Sequence, residues 1–156
     1  MKRITLLLIA ITVFSCGTSK TVRASKKEIK GTWVLNTIKY SALGTFNVTL
    51  LNDASKECFE GSVWSFVPNN NTGTYAISKS DCSTGMRYFN FTIQEVDEQT
   101  GLYNFLLKPT NEKKKSDTNQ GFRLKLTNLS ATTMQWQQTV YVDGKPFIIN
   151  MNFVKQ

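Results

Sequence analysis

The sequence predicts an all-β protein whose folded domain is an eight-stranded, up-and-down antiparallel barrel. From Gly31 onward, apolar residues alternate with polar residues in one short segment after another, which is the period of a half-buried strand. Turn residues separate these segments, and none of them has the apolar period of an amphipathic helix. Strands joined in sequence form a meander, and a meander of this size closes naturally into a barrel without exposed edges.

The chain begins with a segment that has the features of a signal peptide. Lys2 and Arg3 provide a positive start, and an apolar run from Ile4 to Phe14 follows. A transmembrane helix needs about 20 apolar residues, so this run is too short to span a bilayer. We therefore expect residues 1–15 to be a signal peptide that is removed during export.

The end of this run, "TVFSCGTSK" at residues 12–20, resembles the lipobox of bacterial lipoproteins, in the relaxed form of Bacteroidetes-type bacteria. Ser15, a small residue, precedes Cys16, whereas Val13 and Phe14 depart from the usual lipobox. The resemblance implies that Cys16 becomes an acylated N-terminus and anchors the protein in a membrane. The alternative is a plain secretory signal that is cut elsewhere and leaves Cys16 in the discarded piece.

Residues 16–30 are predicted to comprise the lipidated cysteine and a flexible tether, because few apolar side chains follow Cys16. In the lipoproteins that the sequence resembles, surface export requires acidic residues soon after the cysteine. Here none occurs before Glu28, so we expect a lipid-anchored protein on the periplasmic face of the outer membrane.

The charge balance of the chain is basic. Removal of Lys2 and Arg3 with the signal lowers the formal net charge from +8 to +6. Such a balance is typical of a solvated surface that tolerates anionic lipid headgroups. An exported protein rarely meets nucleic acid, so no nucleic-acid partner is expected.

Eight segments of alternating apolar residues account for the predicted strands, and together they define a domain over residues 31–156. The first three strands are short and the remaining five are longer. Their apolar positions, in chain order, are Trp33 and Leu35; Trp64 and Phe66; Tyr75 and Ile77; Phe89, Phe91 and Ile93; Tyr103, Phe105 and Leu107; Phe122, Leu124 and Leu126; Met134, Trp136 and Val140; and Phe147, Ile149, Met151 and Phe153.

The links between the predicted strands are unequal in length. Asp143-Gly144 is a two-residue hairpin signal. The longer links cover residues 41–61, 79–85 and 109–120, and alternate links of an up-and-down barrel lie at the same end. We therefore expect a cup with one loosely covered rim and one tightly connected rim.

Two of the three cysteines are expected to form a disulfide. Cys58 lies just before the second predicted strand and Cys82 just after the third, so antiparallel pairing brings both to one rim. Two thiols placed in this way in an exported protein should oxidise. Closing a loop of about 25 residues stabilises a protein by roughly 3.5 kcal/mol. No Cys-x-x-Cys spacing is present, so the bond is expected to be structural.

Two stretches carry a resemblance to a known family. "GTWVL" at residues 31–35 resembles the Gly-x-Trp signature that opens the first strand of lipocalins. "CFEGSVWSFVPNNNTGTYAI" and "DCSTGMRYFNFTI", between Cys58 and Ile93, are similar to the lipocalin-like lipoproteins of Bacteroidetes. The resemblance implies a lipocalin-like barrel with a small apolar ligand inside it. It also implies that an arginine, Arg87 or Arg123, packs over Trp33 at the barrel floor.

The sequence offers little for catalysis. It contains no histidine, and so lacks the commonest general base and the commonest metal ligand. Its acidic residues fit a solvated surface better than a pair of catalytic carboxylates. No nucleophile elbow, phosphate-binding loop or dinucleotide-binding glycine pattern is present. We therefore expect no enzymatic activity, no cofactor and no metal site.

The candidate ligand-binding residues are aromatic side chains predicted to face the barrel interior. They are Trp33, Trp64, Phe66, Phe89, Phe91, Phe105, Phe122, Trp136 and Phe147. The interior of an eight-stranded barrel holds either side chains or one small ligand. These large rings consume volume, so either the cavity is narrow or the rings are a plain hydrophobic core.

A run of three lysines lies in the link before the sixth predicted strand. Lys113, Lys114 and Lys115 either form a solvated loop or attract the acidic head of an amphiphile, or a lipid phosphate, toward the mouth of the barrel.

Two functions are therefore compatible with the sequence. The first is a membrane-anchored binding protein for a small hydrophobic or amphipathic molecule. The second is an envelope structural or protein-interaction lipoprotein with a side-chain-filled barrel. The sequence indicates no oligomeric state.

Overall fold

The computed structural model describes residues 20–156, apart from the side chain of Glu95. The expected signal peptide and Cys16 lie outside the described residues. The elements are α1 (Lys20–Ile29), β1 (Gly31–Tyr40), β2 (Thr49–Leu50), β3 (Ala54–Ser55), α2 (Lys56–Phe59), β4 (Val63–Val67), β5 (Thr72–Ile77), β6 (Gly85–Val96), β7 (Tyr103–Thr110), β8 (Phe122–Leu129), β9 (Thr133–Val142) and β10 (Lys145–Lys155). Neither helix in this part of the chain has the length and apolarity needed to cross a bilayer.

Eight of the ten strands form a closed antiparallel barrel, in the order β1-β10-β9-β8-β7-β6-β5-β4. β1 completes the barrel, because Trp33 pairs with Lys155 of β10 on one side and with Trp64 of β4 on the other. β2 and β3 pair only with each other. The predicted fold class, an all-β up-and-down barrel of eight strands, is confirmed.

The apolar and polar residues that alternate in the sequence face the inside and the outside of the barrel wall, respectively. In β5, Gly73, Tyr75 and Ile77 are buried, and the residues between them are partly exposed. β10 repeats the pattern, with Phe147, Ile149 and two further apolar residues buried at every second position. Successive side chains of a strand point to opposite faces, so one face of each strand supplies the core.

The links between strands divide the barrel into two poles. The disulfide pole carries the links at residues 41–62, 78–84, 111–121 and 143–144, and the α1 pole carries those at 68–71, 97–102 and 130–132. The predicted disulfide is confirmed at the first pole, where Cys58 and Cys82 are bonded with their Cα atoms 5.7 Å apart.

The segment before the barrel is a helix, which corrects the prediction of a flexible tether for residues 20–29. α1 packs across the α1 pole, and the Ile29 side chain is only 1% exposed. The Ser25 hydroxyl donates a hydrogen bond to the Gly101 carbonyl oxygen at 2.6 Å. Ser25 and Ile29 are four positions apart, so they share the side of the helix that faces the barrel. The prediction was wrong because only Ser25 and Ile29 of this helix are buried, and the link that Ser25 contacts lies far along the chain.

The disulfide pole is covered, in contrast to the loosely covered rim that the sequence predicted. We call residues 41–62 the covering segment; it contains β2, β3 and α2. Its side chains Leu50, Leu51 and Phe59 are at most 4% exposed and belong to the hydrophobic core. The Phe59 ring lies 5.4 Å from the Tyr75 ring, centroid to centroid. The covering segment therefore closes the barrel at the end with the longer links.

Candidate ligand-binding site

The candidate interior residues lie almost entirely where the sequence placed them. Eight of the nine are buried, namely Trp33, Trp64, Phe66, Phe89, Phe91, Phe105, Trp136 and Phe147. The exception is Phe122, the first residue of β8, which is partly buried against the core. The strands therefore bring the predicted aromatic set together inside one barrel.

Aromatic rings meet across the centre of the barrel. The Trp136 ring lies 4.5 Å from Phe153, 5.0 Å from Phe105, 5.3 Å from Trp64 and 5.6 Å from Phe66, measured between centroids. Trp136 lies on β9, and Trp64 and Phe66 lie on β4, which is not a neighbour of β9 in the wall. These contacts therefore cross the interior, and side chains fill the centre of the barrel.

Several buried polar groups in the described part of the chain are unsatisfied, among them the Tyr40 and Gln138 side-chain oxygens, and two belong to Trp136 and Tyr103. Trp136 Nε1 and the Tyr103 hydroxyl are buried and have no hydrogen-bond partner among the described residues. The other two interior tryptophans differ, because Trp33 Nε1 donates to the Ile29 carbonyl oxygen and Trp64 Nε1 donates to the Ser62 hydroxyl, each at 2.9 Å. A buried donor without a partner costs about 1–3 kcal/mol. Each of these two groups therefore lacks a polar partner among the described residues.

The two unsatisfied groups flank one phenylalanine. The Phe105 ring lies 5.0 Å from the Trp136 ring and 6.1 Å from the Tyr103 ring. Burial raises the pKa of Tyr103 far above its ordinary value of 10.0, so the hydroxyl keeps its proton in the folded protein. Tyr103 therefore offers a hydrogen-bonding group next to an aromatic ring, a combination common in small-molecule sites.

A cleft of about 600 Å³ opens beside Tyr103 at the α1 pole. It is lined by residues of the 97–102 link and by the end of β8, including Leu102 and Leu126. The cleft exists because β7 pairs with β8 only from Asn104 to Leu107, so the last residues of β8 have no partner on β7. Its volume is within the range of about 300–1,000 Å³ found for ligand sites.

At the disulfide pole, the covering segment is fixed by a polar network. The Asp53 carboxylate accepts hydrogen bonds from the Tyr75 hydroxyl at 2.8 Å and from Arg87 Nε at 2.9 Å. Glu60 Oε1 accepts a hydrogen bond from the Ile38 backbone N–H at 2.7 Å. Burial, and then the negative charge of Asp53, raise the pKa of Tyr75. The Tyr75 proton thus stays in place and continues to bind the covering segment.

The cation over the floor tryptophan is a lysine. Lys155 Nζ lies 5.0 Å from the centroid of the Trp33 ring. The expectation that Arg87 or Arg123 would occupy this place is wrong, because Arg87 lies at the opposite pole and Arg123 is exposed beside Gln94. Strand periodicity could have identified Lys155, because it continues the inward-facing series of β10 beyond its last phenylalanine.

The three lysines of the 111–121 link are exposed. The Lys114 carbonyl oxygen accepts a hydrogen bond from Asn90 Nδ2 at 3.3 Å. Asn90 lies between Phe89 and Phe91, which face inward, so Asn90 faces the outer wall of the barrel. At Lys114 the link therefore lies against the outer wall, and the attraction of an acidic headgroup or lipid phosphate by Lys113, Lys114 and Lys115 stays a prediction.

The acidic residues have structural partners in turns. The Asp97 carboxylate accepts hydrogen bonds from the backbone N–H groups of Gln99 and Thr100, and these bonds lower the pKa of Asp97. Backbone hydrogen bonding is also the largest cause that lowers the pKa of Glu57. Within residues 20–156, no three Cys, Asp or Glu side chains are grouped so that they could hold a metal ion.

Comparison with known proteins identifies the class of fold. A solved lipocalin-like protein from Bacteroides uniformis aligns with 83% of this chain and 99% of its own, with a TM-score of 0.50 and 12% identity. Bovine odorant binding protein, solved with its natural ligand, aligns with 83% of this chain and 72% of its own, with a TM-score of 0.44 and 16% identity. No family model and no curated protein matches the sequence. The chain therefore has a lipocalin-like fold.

Proposed function

We propose that this protein is a membrane-anchored lipocalin-like lipoprotein of a bacterial cell envelope, on the periplasmic face of the outer membrane, and that it binds one small hydrophobic or amphipathic molecule. The observation that carries the binding proposal is the buried, unsatisfied hydroxyl of Tyr103, a residue that lines the 600 Å³ cleft. A ligand with an apolar body and one hydrogen-bonding group supplies the partner that this hydroxyl lacks.

The packed centre of the barrel limits the size of this ligand. Rings that meet across the interior leave no room for a long chain, so the ligand binds beside Tyr103, where the 600 Å³ cleft reaches the wall. Leu102 and Leu126 supply apolar contact there. We infer a compact molecule with one hydroxyl, amine or carbonyl group, because the interior of an eight-stranded barrel accommodates one small ligand at most.

The anchor is supported by the cysteines of the chain. Two of the three are joined in a disulfide, which is typical of an oxidising compartment outside the cytoplasm. The remaining one, Cys16, follows the apolar run that ends at Phe14.

The mature wild-type chain should carry added acyl mass and sediment with membranes, whereas Cys16→Ala should be unacylated. A Cys16→Ala chain with the wild-type mature mass contradicts the anchor.

Ligand binding is tested with a pair of probes that differ in one polar group. We expect the wild-type protein to bind cyclohexanol more tightly than cyclohexane, as measured by native mass spectrometry and tryptophan fluorescence. Tyr103→Phe should reduce this preference about fivefold, which corresponds to one net hydrogen bond. Tyr88→Phe on the outer wall is the matched control and should keep the wild-type preference. Absence of saturable binding to the wild type excludes the proposal for this chemical class.

A second function is favoured by the packing of the interior. The ring contacts of Trp136 across the barrel also describe a complete hydrophobic core that needs no ligand. In that case the protein would act through its surface, and the disulfide pole exposes the apolar side chains of Leu43, Tyr141 and Val142. Protein isolated repeatedly from its native host without any co-purified small molecule would favour this alternative.

A further inference from the structure

The outward side of α1 carries a cluster of cations. Arg23 and Lys27 are four positions apart, as are Lys26 and Lys30, and Lys30 directly follows the last residue of α1. The four cations therefore lie toward one side of the helix. Arg23, Lys27 and Lys30 are exposed, and Lys26 is partly exposed. Ser25 and Ile29, which pack against the barrel, lie on the other side. We call these four residues the basic face.

The basic face borders a groove with no carboxylate in its lining. The groove has a volume of about 320 Å³ and lies between α1 and the 68–71 link. It is lined by Arg23, Lys26, Lys27, Lys30, Pro68 and Asn69. The one acidic residue of α1, Glu28, lines a different cleft, on the side of the 97–102 link. The lining of the groove therefore consists of four cationic side chains, one proline and one asparagine.

The barrel holds the basic face in place. The Ile29 side chain is buried, and Ser25 is bonded to the 97–102 link. Lys26 Nζ donates a hydrogen bond to Asn71 Oδ1 in the 68–71 link at 2.9 Å, which connects the basic face to the barrel on the groove side. A fixed array of cations loses less conformational entropy on binding than the same cations on a flexible tether.

We propose that the basic face docks on the phosphate groups of an anionic phospholipid bilayer, with the α1 pole toward the membrane and the disulfide pole away from it. This proposal rests on the membrane anchoring proposed above. Lys20 follows Cys16 by four positions, so an anchor at Cys16 keeps α1 within about 14 Å of the acylated residue. Each basic residue at an anionic surface increases partitioning about fivefold, and salt screens the effect.

The test uses the full chain with Cys16→Ala, so that no acyl group contributes to binding. One variant adds R23Q, K26Q, K27Q and K30Q. The matched control adds K113Q, K114Q, K115Q and K145Q, which remove the same charge at the disulfide pole. Co-sedimentation is measured with vesicles of phosphatidylcholine alone and with added phosphatidylglycerol, at low and high salt. The N-terminal apolar segment is common to all chains, so the readout is the increase that phosphatidylglycerol causes.

We expect phosphatidylglycerol to increase vesicle binding of the parent and of the control. In the basic-face variant this increase should be at least tenfold smaller, because about two or three contacts with lipid phosphates are lost. High salt should abolish the phosphatidylglycerol-dependent increase in every chain. An unchanged increase in the basic-face variant overturns the proposal, and so does a loss confined to the control, which would assign the contact to the 111–121 link. Circular dichroism and thermal unfolding confirm that both variants are folded.

Anchoring and docking can fail separately. A wild-type chain without acyl mass refutes the anchor, whatever the vesicles show. Equal binding by the parent and the basic-face variant refutes docking, even when acylation is found. Amide hydrogen exchange gives an independent readout, because residues 20–30 should exchange more slowly on anionic vesicles, whereas those of the covering segment should not change.

Discussion

The two poles of the barrel are closed by different means. At the disulfide pole, the covering segment is held by the Cys58–Cys82 bond and by the ion pair of Asp53 with Arg87, whose Nε lies 2.9 Å from Asp53 Oδ2. At the α1 pole, a helix of ten residues is held by one fully buried apolar side chain, Ile29, and by single hydrogen bonds such as that of Ser25. The covalent closure belongs to the end with the longer links, and the weaker closure belongs to the end with the shorter links.

This difference bears on where a ligand can enter. The longer links would form the mouth of an open cup, but here the covering segment is cross-linked to the 78–84 link and packed into the core. The accessible cleft lies instead at the α1 pole, where β7 and β8 separate and the Tyr103 hydroxyl has no partner in the described chain. We therefore expect entry beside α1, which is also the pole that the proposed docking directs toward the bilayer.

The largest loss of stability is expected when the Cys58–Cys82 disulfide is removed. Cys58→Ala combined with Cys82→Ala should lower the free energy of unfolding by about 3.5 kcal/mol, because the bond restricts a loop of about 25 residues in the unfolded chain. Denaturant unfolding under non-reducing conditions measures the loss, and the reduced wild type should match it. A loss below about 1 kcal/mol would mean that packing alone closes this pole.

At the α1 pole, Ile29→Ala should cost about 3 kcal/mol, since a buried isoleucine is removed and leaves a cavity. Amide exchange in residues 20–29 should accelerate more than exchange in the covering segment, because the cavity weakens only the contact of α1 with the barrel. Val142→Ala at an exposed site is the control and should change stability by about 0.5 kcal/mol or less. Unchanged exchange in α1 would show that the helix has another source of stability.

A pair of tyrosines compares the poles directly. Tyr75→Phe removes a hydrogen bond to the Asp53 carboxylate and should cost about 2 kcal/mol, the usual worth of a bond to a charged group. Tyr103→Phe removes a hydroxyl that has no partner in residues 20–156, and should leave stability unchanged or raise it by about 1 kcal/mol. Equal losses would mean that the Tyr103 hydroxyl is satisfied in solution by water or by a bound molecule.

The strands could be predicted from the sequence because their signal is local. The alternation at Phe89 and Phe91, or at the apolar residues of β10, reports directly which face is buried. The helix at residues 20–29 could not be predicted, because its stability depends on the distant 97–102 link. The covering segment escaped prediction for the same reason, since Leu50 and Phe59 have no regular period in the sequence and are buried only by long-range contacts.

The candidate site was predictable in part. The inward aromatic set follows from the period of the strands, which is why Trp64 and Trp136 are both in the core. Their contact across the interior depends on barrel closure and register, and the sequence does not encode these locally. The position of Lys155 over Trp33 is likewise fixed by the pairing of β1 with β10.

The smallest predicted effect is on the pH dependence of stability, which compares Tyr75 at the disulfide pole with Tyr103 at the α1 pole. Burial raises the pKa of both Tyr75 and Tyr103 above the ordinary value of 10.0, so the folded protein retains protons that the unfolded chain releases. Stability is therefore unaffected by these groups below about pH 9 and falls above pH 10, by about 1.4 kcal/mol per tyrosine for each pH unit. Urea unfolding at pH 9 and pH 11 measures the slope.

Each Phe substitution should remove the loss that its own tyrosine causes, about 1.4 kcal/mol at pH 11. Tyr141→Phe, at a ring that is 74% exposed, is the control and should keep the wild-type dependence. If Tyr75→Phe reduces the slope and Tyr103→Phe does not, the α1 pole opens locally and admits hydroxide to Tyr103 before the barrel unfolds. That outcome would contradict equal burial at the two poles, and it would give the cleft beside Tyr103 the mobility that ligand entry requires.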